Sequence, residues 1–351
     1  MLQRLPHIRL AHVLTAAAAA AVALPIAVAA PADAQEAVRS AGPRCAPAAS
    51  GLTTVSVASA GATYPATVYV PRGYTGRHPV PLVLNLHGSG SNGSDQLIIS
   101  DMQRAADENG FLVAVPNGGT PVPGPREGYT WVLPGVPDSS GRLPAPDARD
   151  DVRFLSDTIS AVSDGFCMAP RRVYATGFSG GARMASLLAC ELADRIAAVA
   201  PVAGLRAGGP DAADPTRPAA GGCTPSRSVP VLAFHGQQDM ANPYDGGGPA
   251  YWQYSVPAAF DRWAELDGCR VGPRDTRLTE HVTLSAYRAC RRGADVSMYV
   301  IADGGHTWPG SPYPDAFPGL GKVSTEVNAT DVMWRFFEQH PLRHGSAAGV
   351  R

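Results

Sequence analysis

The sequence has almost no net charge. Its 351 residues include 29 Lys and Arg against 30 Asp and Glu, which gives a formal net charge of −1 at pH 7. Nucleic acids and anionic membranes attract proteins with an excess of basic residues, so neither is expected as a partner. No group of Cys and His has the spacing of a zinc site, and we expect no metal and no cofactor. Beyond the N-terminal region, no apolar run is long enough to span a bilayer.

A short apolar run lies near the N-terminus. Basic residues precede it, it covers residues 13–24, and it ends at Pro25, before small residues suited to signal cleavage. This pattern predicts a secretory signal peptide over residues 1–34 and a single domain over residues 35–351. We therefore expect a secreted protein that is free of the membrane after cleavage, with a monomer as its simplest state. A membrane anchor is the alternative, but the run is short for one.

All six cysteines follow the predicted signal peptide. An even number of cysteines in an exported chain indicates disulfides, although the connectivity does not follow from the count. We predict the pair Cys269–Cys290, which would close a local excursion before the last strand. Cys167–Cys190 is the second expectation, and it leaves Cys45–Cys223 as the remaining pair.

Short apolar segments alternate with helical segments along the rest of the chain. This order is typical of an α/β fold with a mainly parallel central sheet and helices on both faces. Three stretches rich in Gly, Pro and Asp interrupt it, at 118–148, 205–228 and 309–322, and are expected to form surface loops. The predicted strands cover residues 53–57, 66–70, 82–86, 111–115, 173–176, 198–202, 231–234 and 296–301. Two predicted helices cover residues 95–109 and 150–162, and a third follows residue 180. The last predicted helix has Val332, Met333, Phe336 and Phe337 on its buried face.

The candidate nucleophile is Ser179. It lies in a Gly-x-Ser-x-Gly turn, Gly177 to Gly181, between a β-branched strand and an amphipathic helix. A serine on such a strand-to-helix turn has a strained backbone and an exposed hydroxyl. The glycines allow close approach of neighbouring backbone, and the helix start directs N–H groups towards a developing oxyanion. An ordinary Gly/Ser loop is the alternative.

An activated serine requires a base and an orienting carboxylate, in the chain order Ser, Asp or Glu, His for an α/β-hydrolase. His306 follows the last predicted strand in a glycine-rich loop and is the expected base. Asp239 comes just after the strand at 231–234 and is the expected carboxylate, with Asp245 as its nearby competitor. Asp150 and Asp151 precede the serine and are expected to cap their helix. The other late histidines are His281, His340 and His344.

The expected oxyanion hole combines two backbone N–H groups. One belongs to Gly180 and the other to Ser89, in the His87-Gly88-Ser89-Gly90 turn after a buried strand. The same turn matches the glycine pattern of a dinucleotide-binding loop, because Gly88, Gly90 and Gly93 have the required spacing. The next strand ends without the acidic residue that a nicotinamide cofactor requires, so we reject that alternative.

Five segments together resemble the secreted poly(3-hydroxybutyrate) depolymerase and feruloyl esterase-like family of α/β-hydrolases, over about residues 66–342. The run after His306 is the most specific. Many members carry cysteine where this chain has Ser89, and an asparagine is expected, but absent, after Trp131. The segments are Leu86-His87-Gly88, Asp150-Asp151-Val152, Gly177-Phe178-Ser179-Gly180-Gly181, His235-Gly236 with Asp239, and Gly304-Gly305-His306-Thr307-Trp308-Pro309-Gly310.

The resemblance implies a serine carboxylesterase that acts through Ser179, Asp239 and His306. Trp131 and Trp308 are candidates for an apolar or aromatic acyl pocket, with core packing as the alternative. Two other function classes stay open at this point. One is an exported acyltransferase of the mycolyltransferase type, and the other is a non-enzymatic binding protein on a hydrolase scaffold. The sequence does not separate feruloyl, acetyl and hydroxybutyrate esters as substrates.

Overall fold

The computed structural model describes residues 45–124 and 126–343. The predicted signal peptide, residues 1–34, lies outside the described residues. In the described part, no helix is long and apolar enough to cross a membrane.

The described chain alternates strands and helices in the predicted manner. The strands are β1 (Gly51–Ser59), β2 (Ala62–Val70), β3 (Val80–Leu86), β4 (Leu112–Ala114), β5 (Thr120–Val122), β6 (Gly128–Thr130), β7 (Met168–Phe178), β8 (Ala198–Val202), β9 (Val231–Gly236), β10 (Val271–Arg277), β11 (Val282–Arg288) and β12 (Val296–Ile301). The helices are α1 (Gly93–Ile99), α2 (Met102–Asn109), α3 (Asp151–Gly165), α4 (Gly180–Glu191), α5 (Val256–Leu266) and α6 (Ala329–Gln339).

A ten-stranded sheet in the order β1-β2-β4-β3-β7-β8-β9-β12-β11-β10 organises the fold. The six central strands are parallel, in the order β4, β3, β7, β8, β9 and β12. The strands at the two ends, β1 and β2 on one side and β11 and β10 on the other, pair antiparallel. A separate two-stranded sheet joins β5 and β6. The carboxyl ends of the parallel strands share one edge, where a site is expected in folds of this type.

The central strands are buried on both faces because helices cover both. Leu82, Leu84 and Leu86 of β3 pack into one hydrophobic cluster with α3 and α4. Val83, between them, packs into a second cluster with α2 and α6 on the opposite face. This alternation follows from the two-residue period of a strand. The mainly parallel sheet with helices on both faces therefore matches the prediction.

The predicted helix over 95–109 is wrong in one respect, because it consists of two helices. The chain breaks between α1 and α2 at Asp101, whose φ of 50° lies in the left-handed region. A non-glycine residue in that conformation ends a regular helix. Gly110 ends α2 as predicted, with φ 73°.

Three disulfides connect the described chain, and one of the three expected pairs is present. Cys269–Cys290 is confirmed. The expected Cys167–Cys190 and Cys45–Cys223 pairs are wrong, because the structure joins Cys45 to Cys167 and Cys190 to Cys223.

Local contacts explain the exchange of partners. The backbone N–H of Cys167 donates to the hydroxyl of Tyr74, which in turn donates to the carbonyl of Ala46, next to Cys45. The loop that follows β8 folds back on α4, where the N–H of Arg206 donates to Ser186 Oγ. This return brings Cys223 to Cys190 on the same helix.

Candidate active site

Ser179 lies between the last residue of β7 and the first residue of α4. Its backbone has φ 53° and ψ −112°, which is a strained conformation for a residue with a side chain. Two backbone hydrogen bonds fix it there, from Ser179 N to the carbonyl of Val202 and from Arg183 N to the carbonyl of Ser179, each 3.0 Å long. The half-buried serine thus occupies the carboxyl edge of the sheet, as its motif predicts.

The glycines of the turn allow β7, α4 and β3 to approach closely. A Cβ atom on Gly181 would lie 2.1 Å from the carbonyl oxygen of Leu86, and one on Gly177 would lie 2.6 Å from the same atom. Real Cβ atoms do not come this close to a backbone oxygen. Both positions therefore require glycine on steric grounds.

The two residues expected to form the oxyanion hole are adjacent in space. A Cβ atom on Gly180 would lie 2.4 Å from Ser89 Oγ and 3.1 Å from Ser89 N. In the described part of the chain, Ser89 N forms no hydrogen bond. Gly180 is the first residue of α4, where backbone N–H groups have no partner within the helix. Ser89 N thus lies close to the first residue of α4, which follows Ser179 in the chain.

His87 supports the turn that carries Ser89. Its buried ring contacts the carbonyl of Gly88 through Nδ1 and accepts from Gly118 N through Nε2, at 2.8 Å and 2.9 Å. Since Nε2 accepts, the proton belongs on Nδ1. Burial lowers the pKa of His87 to about 4, so the ring is neutral at pH 7.

Asp150 and Asp151 have different roles. Asp150 caps α3 as predicted, and accepts from Arg153 N at 2.9 Å. Asp151 does not cap, and the expectation that both do is wrong in this respect. Its carboxylate accepts from Gly119 N and Val132 N and pairs with Arg149, 2.6 Å away. Burial raises the pKa of Asp151, although its ion pair and hydrogen bonds oppose this shift.

Asp239 and His306 form a buried, hydrogen-bonded pair. His306 Nδ1 lies 2.7 Å from Asp239 Oδ2, while Oδ1 accepts from the backbone N–H groups of Ala241 and Asn242. Their exposed fractions are only 3% and 4%. The imidazole packs against Phe178, the residue before the candidate nucleophile, with ring centroids 4.8 Å apart.

A second histidine, His235, contacts the same carboxylate. Its Nε2 lies 3.3 Å from Asp239 Oδ2 and 2.9 Å from the carbonyl of Asn242. Both neighbours are acceptors, so Nε2 carries the proton. Burial raises the pKa of Asp239, but the hydrogen bonds from His235 and His306 more than offset this, and the net shift is downward. Asp239 is therefore ionised at neutral pH.

The alternatives to these residues lie elsewhere. Asp245 is exposed. His281 bonds to Glu326, and His340 lies 3.2 Å from Asp295. His344 lies outside the described residues.

Trp131 and Trp308 are both buried, at 4% and 1% exposure. Trp131 donates to the carbonyl of His87, and Trp308 donates to the hydroxyl of Thr330. Neither ring lines the large cavity beside the site. Their assignment to an acyl pocket stays a prediction, and these contacts favour the packing alternative.

That cavity has a volume of about 580 Å³, which is ordinary for a small-molecule site. Apolar side chains of the 118–148 loop form one wall, and Tyr251 and Tyr254 form another. Two buried arginines, Arg183 and Arg206, also line it. Sequence reasoning missed both, because a charged side chain is normally exposed and no motif indicates its burial.

One group of described residues has metal-ligand spacing. His281, Asp303 and Glu326 place donor atoms within 4.8 Å of one another. Lys322 is paired with Asp303, and Glu326 accepts from Thr279 and His281. Asp303 Oδ1 is buried and has no hydrogen-bond partner in the described chain, and we propose no role for the cluster.

Comparisons with known proteins identify the family. No family model matches the chain. Feruloyl esterase B of Piromyces equi is 32% identical over 247 residues, which cover 68% of this chain and 42% of that protein. Feruloyl esterase D of Neurospora crassa is 30% identical over 250 residues, which cover 68% of this chain and 72% of that protein. The chain belongs to the feruloyl esterase family.

This feruloyl esterase family member is a carboxylic ester hydrolase, as several relatives are named esterases. An acetyl xylan esterase from Aspergillus awamori has a similar structure, with a TM-score of 0.51 and 14% sequence identity over 73% of this chain and 94% of that one. That likeness concerns the fold alone, and it confirms the predicted α/β-hydrolase fold. The resemblance to feruloyl esterases is confirmed, and the poly(3-hydroxybutyrate) depolymerase part of it stays a prediction.

Proposed function

We propose that this family member is a secreted serine carboxylesterase that hydrolyses feruloyl or short-chain esters through Ser179, His306 and Asp239. The observation that carries the proposal is the buried Asp239–His306 pair, 2.7 Å apart, packed on the residue before Ser179. Secretion is part of the proposal, and three disulfides in the described chain support it.

In this mechanism the Nδ1–H group of His306 donates a hydrogen bond to Asp239, which leaves the unprotonated Nε2 free to act as the base. Nε2 takes the proton of Ser179, Oγ attacks the ester carbonyl, and the alcohol leaves with the proton from Nε2. Water then attacks the acyl-enzyme with the same help, which releases the acid and restores Ser179. Ser179 Oγ and His306 have no hydrogen bond in the described structure. Such bonds often form only when substrate is bound.

Asp239 favours this sequence in two ways. Its charge stabilises the imidazolium that forms on His306, and its geometry fixes the tautomer. The backbone donors at residues 241 and 242 hold Oδ1, so that Oδ2 faces the imidazole. The carboxylate is thus held in place before substrate arrives.

The N–H groups of Ser89 and Gly180 would bind the oxyanion of the tetrahedral intermediate. Each such donor typically stabilises a transition state by roughly 3 kcal/mol. Ser89 replaces the cysteine that is common in related sequences, but its contribution is a backbone group. The substitution therefore leaves the proposed hole intact.

The test is hydrolysis of an ester panel by the mature protein, Ser179→Ala and a matched control, Ser160→Ala. Ser160 is an exposed serine of α3. The panel contains p-nitrophenyl acetate, butyrate and octanoate, methyl ferulate and a hydroxybutyrate oligomer. We expect turnover to be abolished in Ser179→Ala alone, with the ranking of esters giving the substrate class. Equal turnover by Ser179→Ala would refute the proposal.

A further inference from the structure

Two arginines lie inside the cavity beside the candidate active site. Arg183 belongs to the first turns of α4, four residues after Ser179, and Arg206 lies in the loop after β8. Their exposed fractions are 5% and 7%, and both line the cavity wall. Charged side chains are rarely buried unless they have a partner, so the burial of these two arginines indicates that something offsets their charge.

Neither arginine has a carboxylate partner among the described residues. Arg183 Nε and Nη1, and Arg206 Nε, Nη1 and Nη2, are buried and form no hydrogen bond. Three acidic residues also line the cavity, but they are used elsewhere or exposed. Asp151 is paired with Arg149, and Asp150 and Glu191 are exposed.

Aromatic rings support the two guanidinium groups in place of carboxylates. Arg206 lies 3.0 Å from the ring centroid of Trp252 and 4.3 Å from that of Tyr254, while Arg183 lies 4.5 Å from that of Tyr251. Such contacts offset part of the desolvation of a cation but leave its N–H donors free.

The two side chains remain charged at neutral pH. Burial lowers the pKa of Arg183 to about 10 and that of Arg206 to about 9. Tyr254 opposes the downward shift in the pKa of Arg206, and the nearby charge of Arg183 adds to it. An anion placed between them would relieve both effects.

From these contacts we infer that the cavity binds a carboxylate carried by the ester substrate, with Arg183 and Arg206 as its binding residues. This inference rests on the proposed function, because it concerns the substrate of the same site. A planar guanidinium matches a carboxylate with two parallel hydrogen bonds. The apolar wall, with Leu133, Val136 and Leu187, suits the carbon skeleton of an organic acid.

The position of Arg183 connects the carboxylate subsite to the reacting bond. Arg183 Nη2 lies 3.4 Å from Ser89 Oγ, whose backbone N–H is a proposed oxyanion donor. None of Ser179, Asp239 and His306 lines the cavity, so this contact is what connects the cavity to the proposed oxyanion donors. The carboxylate could belong to the acid or to the alcohol part of the ester, and the two cases require different probes.

The test compares kcat/KM, after subtraction of the rate without enzyme, for esters of similar length with and without a carboxylate. For the acid part, monophenyl glutarate is paired with neutral phenyl pentanoate. For the alcohol part, 4-acetoxybenzoate is paired with neutral 4-acetoxybenzamide. We expect the wild type to prefer the charged ester by at least about tenfold in one pair, as hydrogen bonds to charged groups imply. The pair that shows the preference identifies which part carries the carboxylate.

The variants Arg183→Met and Arg206→Met should reduce that preference ratio by about tenfold, towards one. Arg274→Met, at an exposed position of β10 outside the cavity, is the matched control and should keep it. A wild-type ratio near one in both pairs, with Ser179-dependent turnover of the neutral esters, would overturn this inference and leave the proposed function standing. Turnover that does not depend on Ser179 would overturn the proposed function instead.

A second measurement needs no variant and so avoids the risk of misfolding. Glutarate and its neutral diamide are compared as inhibitors of phenyl pentanoate hydrolysis by the wild type. We expect inhibition by glutarate only, weakened by added salt. Equal inhibition by both compounds, or by neither, would overturn the carboxylate subsite.

Discussion

Asp239→Asn is the substitution that tests the proposed triad most directly. Asparagine has the same size, and its carbonyl oxygen can still accept from the N–H groups of Ala241 and Asn242. Its amide group would then replace Oδ2, which faces the Nδ1 atom of His306 at 2.7 Å. Because an amide donates, the imidazole would have to accept through Nδ1 and carry its proton on Nε2, where it cannot act as the base.

The expected loss follows from two changes to His306. The wrong tautomer dominates, and the imidazolium formed during the reaction loses its counter-charge in a buried site. Changes of this type reduce kcat by about 10⁴ in triad hydrolases, which corresponds to about 5.5 kcal/mol of transition-state stabilisation. The structure favours a loss of this size, because the carboxylate is 3% exposed and solvent cannot replace its charge.

The assay measures kcat and KM on p-nitrophenyl acetate or methyl ferulate, with circular dichroism and thermal unfolding to verify the fold. Asp245→Asn is the matched control, since Asp245 is close in sequence but exposed. We expect it to stay within about threefold of the wild type, as surface substitutions have small effects. A folded Asp239→Asn protein with more than a tenth of wild-type kcat, or an equal loss in Asp245→Asn, would refute the triad reasoning.

Three further predictions concern stability. Gly181→Ala should lower the melting temperature in calorimetry by several degrees or prevent folding, because its Cβ would lie 2.1 Å from the carbonyl oxygen of Leu86. Gly124→Ala is the control and should leave the melting temperature unchanged, because its Cβ would lie 3.7 Å from the nearest atom. Burial raises the pKa of Asp267 to about 7, so its contribution to stability is lost as pH rises from about 4 to 7. Between pH 5 and pH 8 this loss amounts to about 3 kcal/mol, because roughly two pH units separate pH 5 from the raised pKa. Denaturant titrations at these two pH values should show the loss removed in Asp267→Asn, and an unchanged pH slope would contradict the burial argument. His87 should act in the opposite sense: because burial lowers its pKa to about 4, stability is lost as pH falls from about 6.5 to 4. Denaturant titrations extended down to about pH 4 should show a flatter acid limb in His87→Gln.

The parts of the fold with a strong local signal were predictable from the sequence. The strands β8 and β12 coincide with their predicted bounds, because each is a short run of apolar residues between turn signals. Asp239 and His306 also come together, and His306 packs on the residue before Ser179, because each of these residues follows a parallel strand and such strands end at one edge. This geometry supports the assignment of Asp239 over Asp245, and the assignment itself stays a proposal.

Other parts had no local signal. The antiparallel pair of β10 and β11 was missed, since β10 is polar and exposed along its whole length and shows no alternation. The two incorrect disulfides were assigned from position along the chain, whereas their partners are set by long-range packing. The burial of Arg183 and Arg206 is likewise a property of tertiary structure, and no spacing in the sequence indicates it.

The Cys190–Cys223 disulfide restrains the proposed carboxylate subsite rather than the proposed catalytic pair. It ties the loop that carries Arg206 to the helix that carries Arg183, whereas Asp239 and His306 lie on neither segment. In the reduced protein, the paired imidazole and carboxylate would keep their hydrogen bonds, while the two cations would be held relative to each other by noncovalent contacts alone, such as the bond from Arg206 N to Ser186 Oγ. Oxidation would therefore reinforce the proposed substrate discrimination more than the proposed catalytic pair.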